Sequence, residues 1–295
     1  MAQSSDVKHD YHLVDPSPCP FTASLSLFVM AIGGVVFMKG LAAENAGGLG
    51  VVLAQGRPWL LLAGLAGLLL TCVGWWGDVI KESRKGFHKP VVDIGLRYGM
   101  ILFIASEVMF FVAWFWVFFE LAIFHENRAP VLGDAWASWP PPNVSTFDPF
   151  QLPLVNTLIL LLSGTTVTWA HHAMQQGDRA GARNGLLLTV LLGGLFTALQ
   201  VIEYGEAGFA FGNPGGVGEA NLYGSAFFMA TGFHGFHVIV GTIFLLVCLL
   251  RVIAGGMSPQ KHFGLEAAAW YWHFVDVVWL FLFAFVYVLP RLALE

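Results

Sequence analysis

The stretch GMILFIASEVMFFVAWFWVFF, residues 99–119, is apolar throughout except for one charged residue, Glu107. As a helix rising about 1.5 Å per residue it covers roughly 30 Å, the thickness of a bilayer's hydrocarbon core. An ionised carboxylate left unpaired there is costly, so Glu107 must be neutral, paired or in a wet cavity. It is the first candidate for either a functional role or a packing role.

Working outward, this run extends over 95–124, and similar runs recur at 21–38, 58–79, 152–174, 185–204, 223–253 and 263–289. They predict an all-α membrane protein with seven transmembrane helices. A single integral membrane domain covers 1–295, with helices 1–2 at about 21–80 and helices 3–7 at about 92–290. Composition agrees: 57% of residues are hydrophobic and 11% charged, with a mean hydropathy of +0.69. A soluble domain carries about 25% charged residues.

The net charge of -5 and the scattered Lys and Arg exclude a nucleic-acid partner, which calls for a clustered basic face. Cys19, Cys72 and Cys248 stand apart, with neither a CxxC metal pattern nor a disulfide framework. Asp6, Asp10 and Asp15 outnumber Lys8 ahead of the first apolar run, which is too long for a signal-peptide core and is read as a retained span. No internal repeat appears, and the Asn143-Val144-Ser145 sequon is too short a match to carry weight.

Turn formers fill the connections GLAAENAGGLG (40–50), RAPVLGDAWASWPPPNVSTFDPF (128–150) and GEAGFAFGNPGGVGEAN (205–221). Seven spans place the termini on opposite sides. With the N-terminus inside, the inner set is Lys8, Lys81, Arg84, Lys85, Lys89, Arg97, Arg179, Arg183, Arg251 and Lys261, against Lys39, Arg57, Arg128 and Arg291 outside. That distribution favours N-inside.

Helical rise puts Glu107 roughly 15 Å from Arg97, near mid-bilayer, and His237, His273 and Asp276 at roughly 15–21 Å from the inner ends of their helices. His234 and His237 are three apart, as are His273 and Asp276, so each pair shares a helix face. A metal or haem site is disfavoured, because His234 and His237 lie on one helix and only His273 remains at comparable depth; no metal ligand is assigned. An ion or proton relay and a hydrogen-bonded packing cluster both remain open.

A second constellation, Trp75, Trp76, Lys81, Glu82, His88 and Arg97, combines interfacial tryptophan with cations, as a phospholipid headgroup needs. Arg251 reaches the same level from the sixth span. An ordinary aromatic belt with positive-inside charges accounts for the same residues equally well.

The strings WWGDVIKES (75–83), GLRYGMILFIASEVMFF (95–111), TWAHHAMQQGDR (168–179), ATGFHGFHVIVGT (230–242) and HFGLEAAAWYWHFVDVVWLFLF (262–283) resemble the signature segments of cytochrome c oxidase subunit III. The resemblance covers 11–289 apart from the outer loops. It implies a subunit without its own redox centre or catalytic residue, bound beside catalytic subunit I in an aa3-type complex that also holds subunit II. Haem a, haem a3 and copper then belong to those partners.

The family's first two helices splay from a bundle of five, leaving a V-shaped cleft for phospholipids. Trp75, Trp76, Lys81, Glu82, His88, Arg97 and Arg251 match its lipid-contacting stretches, and Glu107 matches its membrane carboxylate. Relatives are credited with sustaining proton uptake by subunit I and prolonging its turnover lifetime. Loops 126–145 and 205–221 exceed the family pattern in length and offer a place for an extra subunit or a tethered cytochrome. Lys81 stands where some relatives have Arg, and an ammonium lacks the fork that binds phosphate bidentately.

The alternatives are subunit III of a quinol oxidase and an independent proton-coupled transporter centred on Glu107. The latter would need inverted repeats or helix breaks at depth, which the sequence lacks. Without a transit-peptide pattern, the expected site is a bacterial plasma membrane, or the mitochondrial inner membrane for an organelle-encoded chain.

Overall fold

The computed structural model describes residues 11, 13, 15–44, 47–132, 134–142, 144–212 and 220–293. Asp6, Lys8, Asp10, the sequon position Asn143 and residues 213–219 of the long loop lie outside the described residues. The chain divides into two compact units, Met1–Leu96 and Arg97–Glu295.

The helices are α1 (Cys19–Lys39), α2 (Gly48–Leu53), α3 (Trp59–Arg84), α4 (Pro90–Ile123), α5 (His125–Leu132), α6 (Leu152–Gln175), α7 (Arg179–Gly205), α8 (Ala220–Ile253), α9 (Phe263–Leu282) and α10 (Leu289–Leu292). Among the described residues, seven are long and apolar enough to cross a membrane: α1, α3, α4, α6, α7, α8, and α9 with its continuation to Leu292.

Helix ends overrun the apolar stretches. α3 continues through the charged segment ending at Arg84, and α7 starts at Arg179 because Asp178 caps it, its Oδ1 accepting from Gly181 N at 2.9 Å. Hydropathy marks the hydrocarbon crossing, whereas backbone hydrogen bonding carries a helix on into the interface. α2 and α5 lie within stretches read as connections, and α5 accommodates Pro130.

In the first unit α1 and α3 pack as a hairpin whose contact surface is stripped to small residues. A Cβ on Gly33 would meet the backbone of Leu61, and one on Gly64 the backbone of Met30. Such close approach is how helices gain van der Waals contact in lipid, where burial supplies little drive. Thr71 Oγ1 reaches Thr22 Oγ1 across the same seam at 3.3 Å.

In the second unit α6, α7, α8 and α9 enclose the main core, which includes Leu160, Val167, Leu186, Phe196, Val238, Trp272, Val275 and Trp279. The burial gradient is steep: 6% of the most apolar stretch of α3 is covered within the chain, against 50% for the last span.

Hydroxyls tie these helices. Thr157 donates to Pro153 O and accepts from Trp279 Nε1, both at 2.8 Å; Ser163 donates to Leu160 O at 2.5 Å and accepts from Trp272 Nε1 at 2.8 Å. Each hydroxyl hydrogen goes back to its own helix, which leaves the oxygen lone pairs for an indole that can only donate. Tyr204 donates to Thr231 Oγ1 at 2.7 Å, and Thr231 donates to Phe227 O at 2.8 Å in the same manner.

After Leu282 the helix loosens into a π turn, Phe283–Val288, before Pro290. Proline has no N–H to donate and its ring crowds the carbonyl four residues back, so a wider turn ahead of it lets the helix continue.

Replacing Gly64 by Leu is expected to destabilise the hairpin by about 1–3 kcal/mol through overpacking. Gly74, whose Cβ position is open, serves as the control: Gly74→Leu should leave thermal unfolding in detergent nearly unchanged. Equal effects at both positions would count against the close-packed seam.

Candidate functional site

Glu107 sits mid-way along α4 and meets α8: its Oε2 is 3.0 Å from His237 Nε2, the two side chains being 24% and 8% exposed. The other imidazole nitrogen, Nδ1, is 2.7 Å from Phe233 O. A carbonyl only accepts, so Nδ1 carries hydrogen. The contact with Glu107 then holds one further proton, either as a carboxylic acid donating to Nε2 or as an imidazolium donating to carboxylate. Both forms leave the pair with zero net charge, which suits low-dielectric surroundings. Phe111 packs edge-on to the ring at 5.0 Å, with Phe110, Tyr271 and Phe274 at 6.0–6.3 Å.

His273 and Asp276 on α9 form a second arrangement. His273 Nε2 is 3.0 Å from Thr168 Oγ1, whose hydrogen goes to Gly164 O at 2.9 Å, so Nε2 is the donor. Nδ1 faces Asp276 Oδ2 at 3.5 Å. The helix α6 passes close: a Cβ on Gly164 would collide with the Asp276 carboxyl.

His234 joins neither pair. Its Nε2 donates to Val275 O at 3.1 Å, and its ring packs beside Trp279 and Phe196, 5.0 and 5.8 Å away. The five residues thus fall into three separate arrangements. Residues three apart are about 60° short of a full turn, enough to face different neighbours.

Arg97 presents its guanidinium edge to Glu266, with Nε–Oε1 3.1 Å and Nη2–Oε2 3.0 Å, a bidentate fork at the first turn of α9, where a carboxylate also suits the helix dipole. Lys81 pairs with Asp78 on the exposed end of α3 at 2.9 Å, and Trp75 and Trp76 are exposed on that helix. Glu82 and His88 are half-buried. Arg251 lies along α8 with Nη1 2.9 Å from the Cβ position of Gly264.

Sequence reasoning passed over two carboxyls. Glu266 is one; Glu203, fully buried and accepting from Tyr287 at 2.6 Å, is the other. The signal for Glu203 was present: Gln200 and Glu203 sit three apart in an otherwise apolar span. Among the described residues no cluster of three or more His, Cys, Asp or Glu is arranged to hold a metal ion.

Seven spans with intrahelical and interhelical polar pairing define a multi-pass integral membrane protein. The family model for cytochrome c oxidase subunit III matches residues 9–290. Cytochrome c oxidase subunit 3 of Marchantia polymorpha is 50% identical over 281 residues, covering 95% of this chain and 96% of that one. The Triticum aestivum protein of the same name is 49% identical with the same coverage, and that of Squalus acanthias is 49% identical over 280 residues, 95% and 97% of the two chains. The chain belongs to the cytochrome c oxidase subunit III family, a family of haem-copper oxidase subunits.

Glu107→Gln is expected to cost within about 1 kcal/mol, because the carboxamide still donates to His237 Nε2; Glu107→Leu strands that nitrogen and should cost about 1–3 kcal/mol. Thermal unfolding of the two variants side by side checks the pairing, and equal losses would contradict it.

Proposed function

We propose that the chain serves as a non-redox subunit III of an aa3-type cytochrome c oxidase. It stabilises catalytic subunit I, in a complex with subunit II, and supports proton uptake and turnover lifetime there. Haem a, haem a3 and copper reside in those partners. The observation that carries this reading is the family match across residues 9–290. The imidazoles at depth add to it: His234, His237 and His273 are each engaged by carbonyl, hydroxyl or carboxyl groups of the chain itself. That favours a packing role for Glu107 and His237 over metal ligation.

The same reading places the protein in a bacterial plasma membrane or the mitochondrial inner membrane, N-terminus inside. Phospholipid headgroups are its second ligand class. Trp75, Trp76, Lys81, Glu82 and His88 supply exposed indoles and a cation at one end of α3. In the other unit Arg97 and Arg251 are proposed as phosphate contacts, Arg97 while sharing its guanidinium with Glu266.

Purification of the oxidase with and without this chain tests the proposal. The depleted enzyme should start at comparable turnover and inactivate sooner, and metal analysis of the isolated chain should find no stoichiometric haem or copper. A stoichiometric cofactor on the chain, or failure to purify with oxidase activity, would overturn it.

A further inference from the structure

Four buried polar side chains in the second unit each keep polar atoms without a hydrogen-bond partner. Asn156, Gln200, Glu203 and His234 are exposed by 4% or less. Asn156 Nδ2 and Oδ1, Gln200 Nε2, Glu203 Oε2 and His234 Nδ1 have no hydrogen-bond partner among the described residues.

Helix register brings them to one level. α6 and α7 run antiparallel with Thr166 Oγ1 2.7 Å from Thr189 Oγ1 and the Cβ position of Gly185 2.9 Å from Ala170. Counting back along α6 and forward along α7 from those contacts sets Asn156 level with Gln200. Between α7 and α8, Tyr204 meets Thr231 and the Cβ position of Gly235 lies 2.9 Å from Gln200 Oε1, so His234 falls at that level too. Glu203 is less than one turn further along the same face of α7.

Aromatic rings bound the region. Trp279 packs on His234, on Phe196 at 4.8 Å and on Tyr287 at 5.7 Å, while its indole N–H goes to Thr157, the neighbour of Asn156. Tyr287 in turn donates to Glu203 Oε1.

The five atoms are chemically complementary. Because His234 donates from Nε2 to Val275 O, its neutral Nδ1 is an acceptor; Asn156 Oδ1 is another. Asn156 Nδ2 and Gln200 Nε2 donate, and Glu203 Oε2 donates when it carries hydrogen. Each is beyond direct hydrogen-bond reach of the rest, and leaving such groups unsatisfied costs about 1–3 kcal/mol apiece. A buried water makes about three hydrogen bonds, so about two molecules complete the set. Gly235 lets the Gln200 carboxamide lie against α8, since a Cβ there would meet its Oε1 at 2.9 Å.

We propose that Asn156, Gln200, Glu203 and His234 form an internal binding site for ordered water. This water joins the Glu203–Tyr287 pair to His234 and keeps Glu203 as a hydrogen-donating carboxylic acid. The site lies inside α6–α9 and is independent of the Glu107–His237 pair.

The test is a density map of the protein in the assembly with which it purifies, at a resolution that shows ordered water, for the natural chain and for Asn156→Leu. Expected are density peaks within hydrogen-bond reach of His234 Nδ1, Gln200 Nε2 and Glu203 Oε2. At least one of them should be lost in Asn156→Leu, with waters elsewhere retained. Side chains rotated to bond one another directly, with no density among them, overturn the proposal. Should Asn156→Leu fail to fold, infrared spectra of the natural protein and Glu203→Gln decide. A carboxylic acid stretch that shifts in D2O and is absent from Glu203→Gln supports the wet acid; no such band rejects it.

Discussion

A hydroxyl in a membrane helix must dispose of its one hydrogen, and in α6 it does so by giving it back to its own backbone. Thr157 and Ser163 do this and then accept from the indoles of α9; Thr168 does it and accepts from His273. Thr166 returns its hydrogen to Ser163 O and shares oxygen contact with Thr189 of α7. α6 is thereby an acceptor column against which α9 sets its donors. Each such bond contributes only about 0.6–2 kcal/mol in a membrane. Their weight lies in the alternative, since an indole N–H with no partner has no water to turn to.

Carboxyl groups obey the same constraint with a different partner. Glu107 takes His237, Asp276 faces His273, and Glu203 takes a tyrosine. Arg97 with Glu266 is a fully formed fork, and the Arg97 side chain is 46% exposed. The pattern is graded: permanent charges occur where water is near, and groups able to become neutral occur at depth. The imidazoles of His234, His237 and His273 follow the same rule, each meeting a carbonyl, hydroxyl or carboxyl group of the chain itself.

Much of this was legible in the sequence, though unevenly. Spans could be read because crossing hydrocarbon demands about twenty apolar residues in a row, a length that a buried helix of a soluble domain seldom reaches. The five signature strings pointed to the family from residues alone. Ends were harder: α7 begins at Arg179 under the cap of Asp178, outside its apolar run, and α5 hides in a segment rich in proline. Glu107 stood out and its partner lay within the named group, whereas His234 was grouped with His237 on spacing alone and faces Val275 instead. Periodicity assigns a residue to a face but not to the helix it will meet. Glu203 escaped notice because it sits near the end of its span, where a carboxylate usually means water; its burial arises from Tyr287, contributed by a distant helix.

The two indole bonds of α9 have one further consequence. Trp272 meets Ser163 and Trp279 meets Thr157, seven residues apart on one helix and six on its antiparallel neighbour. Together they act as two pins through a pair of rods. An axial slip of one helical turn would break both at once, and no hydroxyl of α6 lies one turn from Thr157 to receive the Trp279 indole again. α6 and α9 therefore resist telescoping. A tilt of the pair as one body keeps both bonds, whereas a sliding of one helix past the other breaks both.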